Sequence, residues 1–273
     1  MERNIDDRRK SMQYQQNGTV VTIGNGPHHV IALHGWFGHA RGWGPLVDVL
    51  DGDRFTYAFI DYRGYGARRG IQGRFDMQEI AADVLAFGDE LGWQRFSLIG
   101  HSMGGKAMQA VAMLAPARVK AMVGVTPVPP TRVLFDEPAR SLLERAADDF
   151  AARIAVVDNS TGKRLSRYWV EKLVQASALH ADANAFAAYF RAWADTDFSA
   201  EIAGIRVPTL LLVGEHDPSL TADVMEQTYG RVFLDLAIDV IRNAGHYPMD
   251  ETPVDLITRI ERFLTDIQAR SER

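Results

Sequence analysis

The stretch Phe96-Ser97-Leu98-Ile99-Gly100-His101-Ser102-Met103-Gly104-Gly105 decides how the rest of the chain is read. A short strand pattern, Phe96 to Ile99, runs into Gly-x-Ser-x-Gly and straight on into a helical pattern, Met103 to Leu114. A turn that tight between strand and helix strains the backbone of its central residue, and glycine two positions to either side avoids clashes with the neighbouring chain. Ser102 then stands at the carboxyl end of a strand and at a helix N-terminus, whose dipole and free amides favour developing negative charge. A bare Gly-x-Ser-x-Gly match is as compatible with a chance turn as with a nucleophile. The strand before it and the helix after it carry the reading.

A serine hydroxyl is a poor nucleophile unless a base removes its proton, so a histidine and a carboxylate that orients it are required. Leu210-Leu211-Leu212-Val213-Gly214-Glu215-His216-Asp217-Pro218 leaves a strand and delivers Asp217 to a loop at its carboxyl end. Asn243-Ala244-Gly245-His246-Tyr247-Pro248 follows the last strand and puts His246 on a loop of the same face. The competing readings are Asp217 as a plain helix cap with Glu215 as the acid, and His246 as a surface histidine.

Working outward, Thr19 to Ile23, His29 to Leu33 and Thr56 to Ile60 are apolar runs bounded by turn residues, as buried parallel strands are. From Asp76 the period changes: Ile80, Val84, Phe87 and Leu91 recur at helical steps, and Asp76 with Glu79 offers a capping box. Strands are expected again at Phe96–Ile99, Val119–Val125, Thr209–Val213 and Asp235–Ile241. A last helix opens at Thr252-Pro253 with Leu256, Ile260, Phe263 and Ile267 on one face. Strands alternating with helices imply an α/β fold, a mostly parallel central sheet with helices on both faces.

The alternation stops after Pro127, Pro129 and Pro130. Residues 128–200 contain no convincing strand and read as helical, with Phe135, Phe150, Tyr168, Trp169, Phe186, Tyr189, Phe190 and Trp193 among them. So many aromatics do not suit a solvated linker. The expected organisation is one core of residues 1–127 and 201–273 with a helical cap, 128–200, inserted over one end of the sheet. Most of the cap aromatics should be its own core, with several lining a pocket.

Composition bounds the function. The 273 residues are 47% hydrophobic and 24% charged, typical of a globular chain that buries a full core, in one or two domains. The formal charge of −5 supplies no positive field for nucleic acid or anionic lipid, so neither is expected as a partner. The absence of cysteine excludes disulfides, a zinc-thiolate site and a thiol nucleophile, and fits a reducing compartment. The charged N-terminus lacks the apolar stretch of a secretory signal, and no apolar run approaches the roughly 18 residues of a membrane span. A cytoplasmic protein is expected.

Other signals are weak. The pair His28-His29 has no His-Glu-x-x-His around it, so no metal site is expected. Gly24-Asn25-Gly26 lacks the third glycine and the helix start of a dinucleotide fingerprint. Arg63, Arg68, Arg69 and Arg74 read as a solvated loop rather than an anion site, and Lys106, one turn into the helix after Ser102, reads likewise. His34 reads as a loop-bonding residue and His101 as a packing residue.

The pieces His34-Gly35-Trp36, Asp61-Tyr62-Arg63-Gly64-Tyr65-Gly66, the turn at Ser102, Gly214 to Asp217 and Gly245-His246 together resemble the α/β-hydrolase superfamily, over most of the chain outside 128–200. Within it the chain is similar to cap-containing, serine-nucleophile, esterase-like members. The order Ser102, Asp217, His246 is the one this topology implies. The resemblance implies an oxyanion hole from the amides of Met103 and Trp36, with Phe37 the alternative second donor. It implies no cofactor. Dehalogenases and epoxide hydrolases of the superfamily use Asp at the turn, so Ser102 favours acyl chemistry. The expected activity is hydrolysis of small, partly apolar carboxylic esters, with thioesters or lactones as variants, by a monomer or homodimer. Carbon-carbon bond hydrolysis of ring-cleavage products, to which the four arginines would suit an acidic substrate, cofactor-free perhydrolysis, and a small-molecule receptor with little turnover are the alternatives.

Overall fold

The seven apolar runs become strands of one eight-stranded sheet, whose remaining strand, Met12–Tyr14, no apolar run announced, in a computed structural model that describes residues 12–14 and 19–271. In chain order the strands are β1 (Met12–Tyr14), β2 (Val20–Ile23), β3 (His28–Leu33), β4 (Phe55–Ile60), β5 (Phe96–His101), β6 (Val119–Val125), β7 (Thr209–Gly214) and β8 (Leu236–Ile241). Their spatial order is β1-β2-β4-β3-β5-β6-β7-β8. The pairings β1/β2 and β2/β4 are antiparallel and the others parallel. Strands β5 and β7 are buried along their whole length, which is why they read as unbroken apolar runs rather than alternating ones. Edge strand β8 is largely exposed and carries Asp239, paired with Arg259 at 2.5 Å. A charge there blunts the pairing of the free edge with another chain.

Chain direction across the sheet reverses between β3 and β5: β3 leads out to β4 on one side, and β5 to β6 on the other. The loops leaving the carboxyl ends of these two neighbours therefore part, and the crevice between them is where open α/β sheets bind ligands. One loop carries His34 to Phe37 and the other carries Ser102.

Helix α1 (Met77–Glu90) begins where the polar cap predicts, with Asp76 Oδ1 accepting the Glu79 amide at 2.7 Å. The reciprocal half of the capping box is displaced. Glu79 reaches past Asp76 and accepts from the amides of Arg74 (3.1 Å) and Phe75 (3.0 Å), and Phe75 sits at φ +55°. Helix α2 (Met103–Leu114) starts directly after Ser102. Along the C-terminal helix α10 (Pro253–Ser271) the buried stripe is Leu256, Ile260, Leu264 and Ile267, with Phe263 only half-buried. Leu264 and Phe263 both fall within one helical period of Ile260, and packing chose the former.

Between β6 and β7 lie five helices: α3 (Glu137–Arg145), α4 (Phe150–Ser160), α5 (Arg167–His180), α6 (Ala183–Asp195) and the single turn α7 (Ser199–Ile202). Asp136, Asp149 and Ser166 cap the first three through amides two or three residues on. Arg153 is the centre of this group. Its guanidinium is buried 3.9 Å over the Phe186 ring and donates to the Ala146 carbonyl (2.6 Å), the Ala147 carbonyl and Ser177 Oγ (3.3 Å each). Phe186, Tyr189 and Phe190 are buried as expected, whereas Tyr168 is 70% and Phe150 43% exposed. The remaining short helices are α8 (Ala222–Thr228) and α9 (Pro248–Glu251). Among the described residues no helix is long and apolar enough to cross a membrane.

Candidate active site

Ser102 adopts φ +50°, ψ −115°, a conformation disfavoured for a side chain with a Cβ. The surrounding glycines let the backbone close around it. A Cβ on Gly104 would run into the Leu33 carbonyl, and a Cβ on Gly35 would lie 2.6 Å from His101 Nδ1 and 3.2 Å from Ser102 Cβ. Any larger residue at either position would push the β3 and β5 loops apart.

Asp217, not Glu215, meets the histidine: Asp217 Oδ2 accepts from His246 Nδ1 at 2.6 Å. Its other oxygen, Oδ1, accepts the Ser219 (2.9 Å) and Leu220 (3.0 Å) amides, so Asp217 caps its own turn as well as orienting the imidazole. Burial works against its charge, but His246 and the two amides outweigh it and hold the carboxyl below the usual carboxylate range. With Nδ1 committed to a carboxylate, the bare nitrogen of a neutral His246 is Nε2. Glu215 instead accepts the Asn243 amide at 3.0 Å on the exposed side of the loop.

The histidine loop is pinned from three directions. The His246 carbonyl accepts from His101 Nε2 (2.8 Å) and from Thr126 Oγ1 (3.1 Å). Thr126, just past β6, is held at φ +41°. Glu251 accepts the Gly245 amide (2.9 Å) and the Tyr247 amide (3.1 Å), and pairs with Arg164 at 3.0 Å. Burial pushes His101 down to about 3, so it is a neutral ring whose Nε2 carries the hydrogen toward a carbonyl that can only accept.

The loop after β3 is organised in the same way. His34 Nδ1 donates to the Gly35 carbonyl at 2.8 Å, and the Gly38 amide donates to it at 2.9 Å. Burial pushes His34 down to about 3, which again leaves a neutral ring. Since the peptide is trans, fixing the Gly35 carbonyl also fixes the opposite direction of the Trp36 N–H. Tyr65 Oη donates to the Trp36 carbonyl (2.9 Å), Tyr62 Oη to the His34 carbonyl (2.9 Å), and Asp61 Oδ1 accepts the Ala40 amide (2.7 Å). The motif Asp61 to Gly66 is thus a clamp on the 34–40 loop, a role its spacing alone did not reveal.

Ser102, Asp217 and His246 line one cavity of about 280 Å³, together with Trp36 and Phe37. Met103, the first residue of α2, has an amide with no acceptor within the helix. The far wall is apolar and comes from the five-helix segment, with Phe135, Leu142, Leu143 and Trp193 prominent. The expected lining by aromatics of the 128–200 segment thus falls to Phe135 and Trp193.

The arginine cluster is elsewhere. Arg63 and Arg68 bind Asp83 at 2.9 and 2.7 Å, Arg69 binds Asp182 at 3.1 Å, and Arg74 binds Asp76 at 2.9 Å. None of the four lines the cavity. Arg69 and Arg74 stay largely exposed, as a solvated loop would have them, whereas Arg63 and Arg68 are drawn into partly buried pairs with α1. Lys106 is likewise not solvated but fully buried. His28 bonds Ser97 Oγ at 2.9 Å and His29 stacks on Trp93. Among the described residues no group of three or more acidic or histidine side chains could hold a metal ion.

A family model for the alpha/beta hydrolase fold matches residues 28–253. The chain is 28% identical over 256 residues to the pimeloyl-[acyl-carrier protein] methyl ester esterase of Nitrosomonas europaea, covering 88% of this chain and 96% of that one. It is also 28% identical to a non-heme chloroperoxidase of Streptomyces lividans, over 69% of this chain and 74% of the relative. Among solved structures it is similar to an esterase from Exiguobacterium antarcticum, with a TM-score of 0.81 at 19% identity over 93% of this chain and 99% of the other.

Proposed function

The chain belongs to the α/β-hydrolase fold family, and on that premise we propose that it is a serine hydrolase of small carboxylic esters working through an acyl-enzyme. The observation that carries the reading is the 2.6 Å contact of Asp217 with His246 in the same cavity as a strained Ser102.

Ser102 Oγ attacks the ester carbonyl carbon while His246 Nε2 takes its proton, and Asp217 steadies the imidazolium. The tetrahedral oxyanion lies between the amides of Met103 and Trp36. Trp36 is favoured over Phe37 because its peptide is the one held by His34 and Gly38, and because Gly35 lies directly against Ser102. Collapse expels the alcohol, which takes its proton from His246. Water then attacks the acyl-enzyme by the same sequence and frees the acid and Ser102. In this reading residues 128–200 act as a cap that closes the acyl side of the cavity.

Among the described residues the lining carries no lysine or arginine, and its one acid is Asp217, already paired. A substrate carboxylate would find no counter-charge there, which favours uncharged esters over acidic ring-cleavage products. At about 280 Å³ the cavity lies just below the usual range for small-molecule sites, which supports a small ester as substrate.

The test is steady-state hydrolysis of p-nitrophenyl esters from acetate to laurate, with Ser102→Ala as the control and a serine-directed phosphonate read by intact mass. Turnover that Ser102→Ala abolishes supports the reading. Labelling at Ser102 without ester turnover would move the substrate to a lactone, thioester or carbon-carbon bond, and neither label nor turnover would leave a receptor.

A further inference from the structure

Lys106 is a buried cation that the acyl chemistry does not use. It lies on α2, four residues after Ser102, with none of its surface exposed. Its Nζ donates to three main-chain carbonyls: Thr131 (3.0 Å), Trp193 (2.9 Å) and Thr196 (2.5 Å). These belong to two stretches far apart in sequence. Thr131 is on the segment leading from β6 into the helices, and Trp193 and Thr196 are at the end of α6, where the chain turns back toward β7. Between the two stretches the Val133 amide donates to the Ala194 carbonyl at 2.8 Å.

A cation buried away from water is strongly destabilising unless its donors are satisfied. A methionine would fill a similar volume without that cost. What lysine adds is three donors, and all three are used. The acids nearby are engaged elsewhere: Asp195 pairs with Arg140 (3.0 Å) and Arg132 (3.7 Å), and Asp197 accepts from Ser199 and from the Arg132 amide. The Phe198 ring lies 5.6 Å from Nζ. Trp193 and Val133, on the two clipped stretches, both line the cavity, and Phe135 packs edge-on to Trp193 at 5.9 Å.

We propose that Lys106 is a positioning residue for acyl-size selectivity, clipping both ends of the 128–200 segment to the nucleophile helix so that Trp193 and Val133 close the acyl side of the cavity. The inference rests on the serine-hydrolase reading above. Burial pulls the Lys106 ammonium down to about 7, against Asp197 and Asp195, which hold it up. The neutral amine has two N–H groups and a lone pair, so on deprotonation one of the three carbonyls loses its donor.

Lys106→Met and Lys106→Gln are compared with the wild type on p-nitrophenyl acetate, butyrate and octanoate, together with amide hydrogen exchange over residues 128–135 and 191–198. Lys106→Met is expected to raise KM for the short esters about tenfold with kcat within roughly threefold, shifting preference toward octanoate. Exchange in both stretches quickens, and Lys106→Gln, which keeps two donors, falls between. In the wild type the octanoate-to-acetate ratio of kcat/KM rises from about pH 6 to about pH 9, and taking the ratio cancels any pH effect common to both esters. A folded Lys106→Met with wild-type chain-length profile and exchange overturns the proposal. Should Lys106→Met not fold, Lys106→Gln and the wild-type pH ratio decide, and an unchanged profile with a constant ratio overturns it. If the wild type turns over no ester, the function reading has failed separately. Exchange then decides alone: unchanged rates in both stretches refute the clip, and faster rates retain it.

Discussion

The Trp36 indole donates to the Phe186 carbonyl at 2.8 Å, and the two rings stack with centroids 4.1 Å apart. The residue proposed to supply the second oxyanion amide is thereby tied through its side chain to α6. With the Arg153 guanidinium on the Phe186 ring, a continuous stack runs from the centre of the five-helix segment to the loop beside Ser102. The shape of the cavity and the placement of the loop amides are consequently one packing problem.

Trp36→Phe keeps the stack and removes the N–H donor, leaving the Phe186 carbonyl only its partner within α6, at an expected loss of about 0.5–1.5 kcal/mol in stability. Chemical denaturation measures that loss. Because the loop is less firmly held, kcat on the best ester should fall about tenfold. Wild-type kcat in Trp36→Phe would separate the stack from the loop's catalytic placement.

Asp217→Asn should lower kcat by about 10⁴-fold, since the imidazole loses the partner that sets its tautomer. Glu215→Gln should leave kcat within about twofold, because that carboxylate meets the Asn243 amide (3.0 Å) and the His216 ring (3.6 Å) on an exposed loop and does not reach His246. The same ester assay checks both, and circular dichroism confirms that each variant is folded. Equal losses in the two variants would reopen the choice of acid.

Charge on the acyl group should be penalised. With no lysine or arginine among the described residues that line the cavity, a hemisuccinate ester should be cleaved at least about 100-fold less efficiently than the butyrate ester of the same alcohol. Competitive kinetics on the pair measures the ratio, and near-equal values would mean that a charged group reaches the substrate from outside the lining.

Asp250 governs a pH effect on stability. Burial pushes its carboxyl up to about 6, with the Trp169 side chain opposing through a hydrogen bond. A raised carboxyl binds its proton more tightly when folded. Its contribution is therefore fully present below the unfolded value near 4 and is lost as pH rises through about 6. Asp250→Asn should remove that loss, worth about 2–3 kcal/mol. Thermal denaturation at about pH 4 and pH 7 should show the wild type losing more stability than the variant over that interval.

The legible features were those set by neighbours in sequence. The bounds of α2 and β6 match the expected Met103–Leu114 and Val119–Val125, because a glycine-bounded turn, a proline and an apolar run are local signals. Asp217 and His246 were found because each leaves a strand end at a place the topology brings to one face. Less legible were contacts that depend on orientation within a helix or on a distant carbonyl. Phe263 lost its place to Leu264. Glu79 bonded amides upstream of its own cap. Thr126 and Glu251 carried no signal beyond their type, although they hold the His246 loop.

The sequence by itself determined the order of seven of the eight strands and of the helices α1, α2 and α10, the turn at Ser102 and the candidates Asp217 and His246. Those rest on backbone sterics and periodicity, which act over a few residues. Tertiary structure alone decided that Asp217 rather than Glu215 meets the histidine, that Arg63 and Arg68 pair with Asp83 on α1, and that Arg69 pairs with Asp182 at the cap of α6. It also decided that the solvated lysine expected at position 106 is a buried one bound to three carbonyls. A charged side chain reads the same in sequence whether water or a carbonyl satisfies it; which one does is settled only by the chain segments that the fold packs against it.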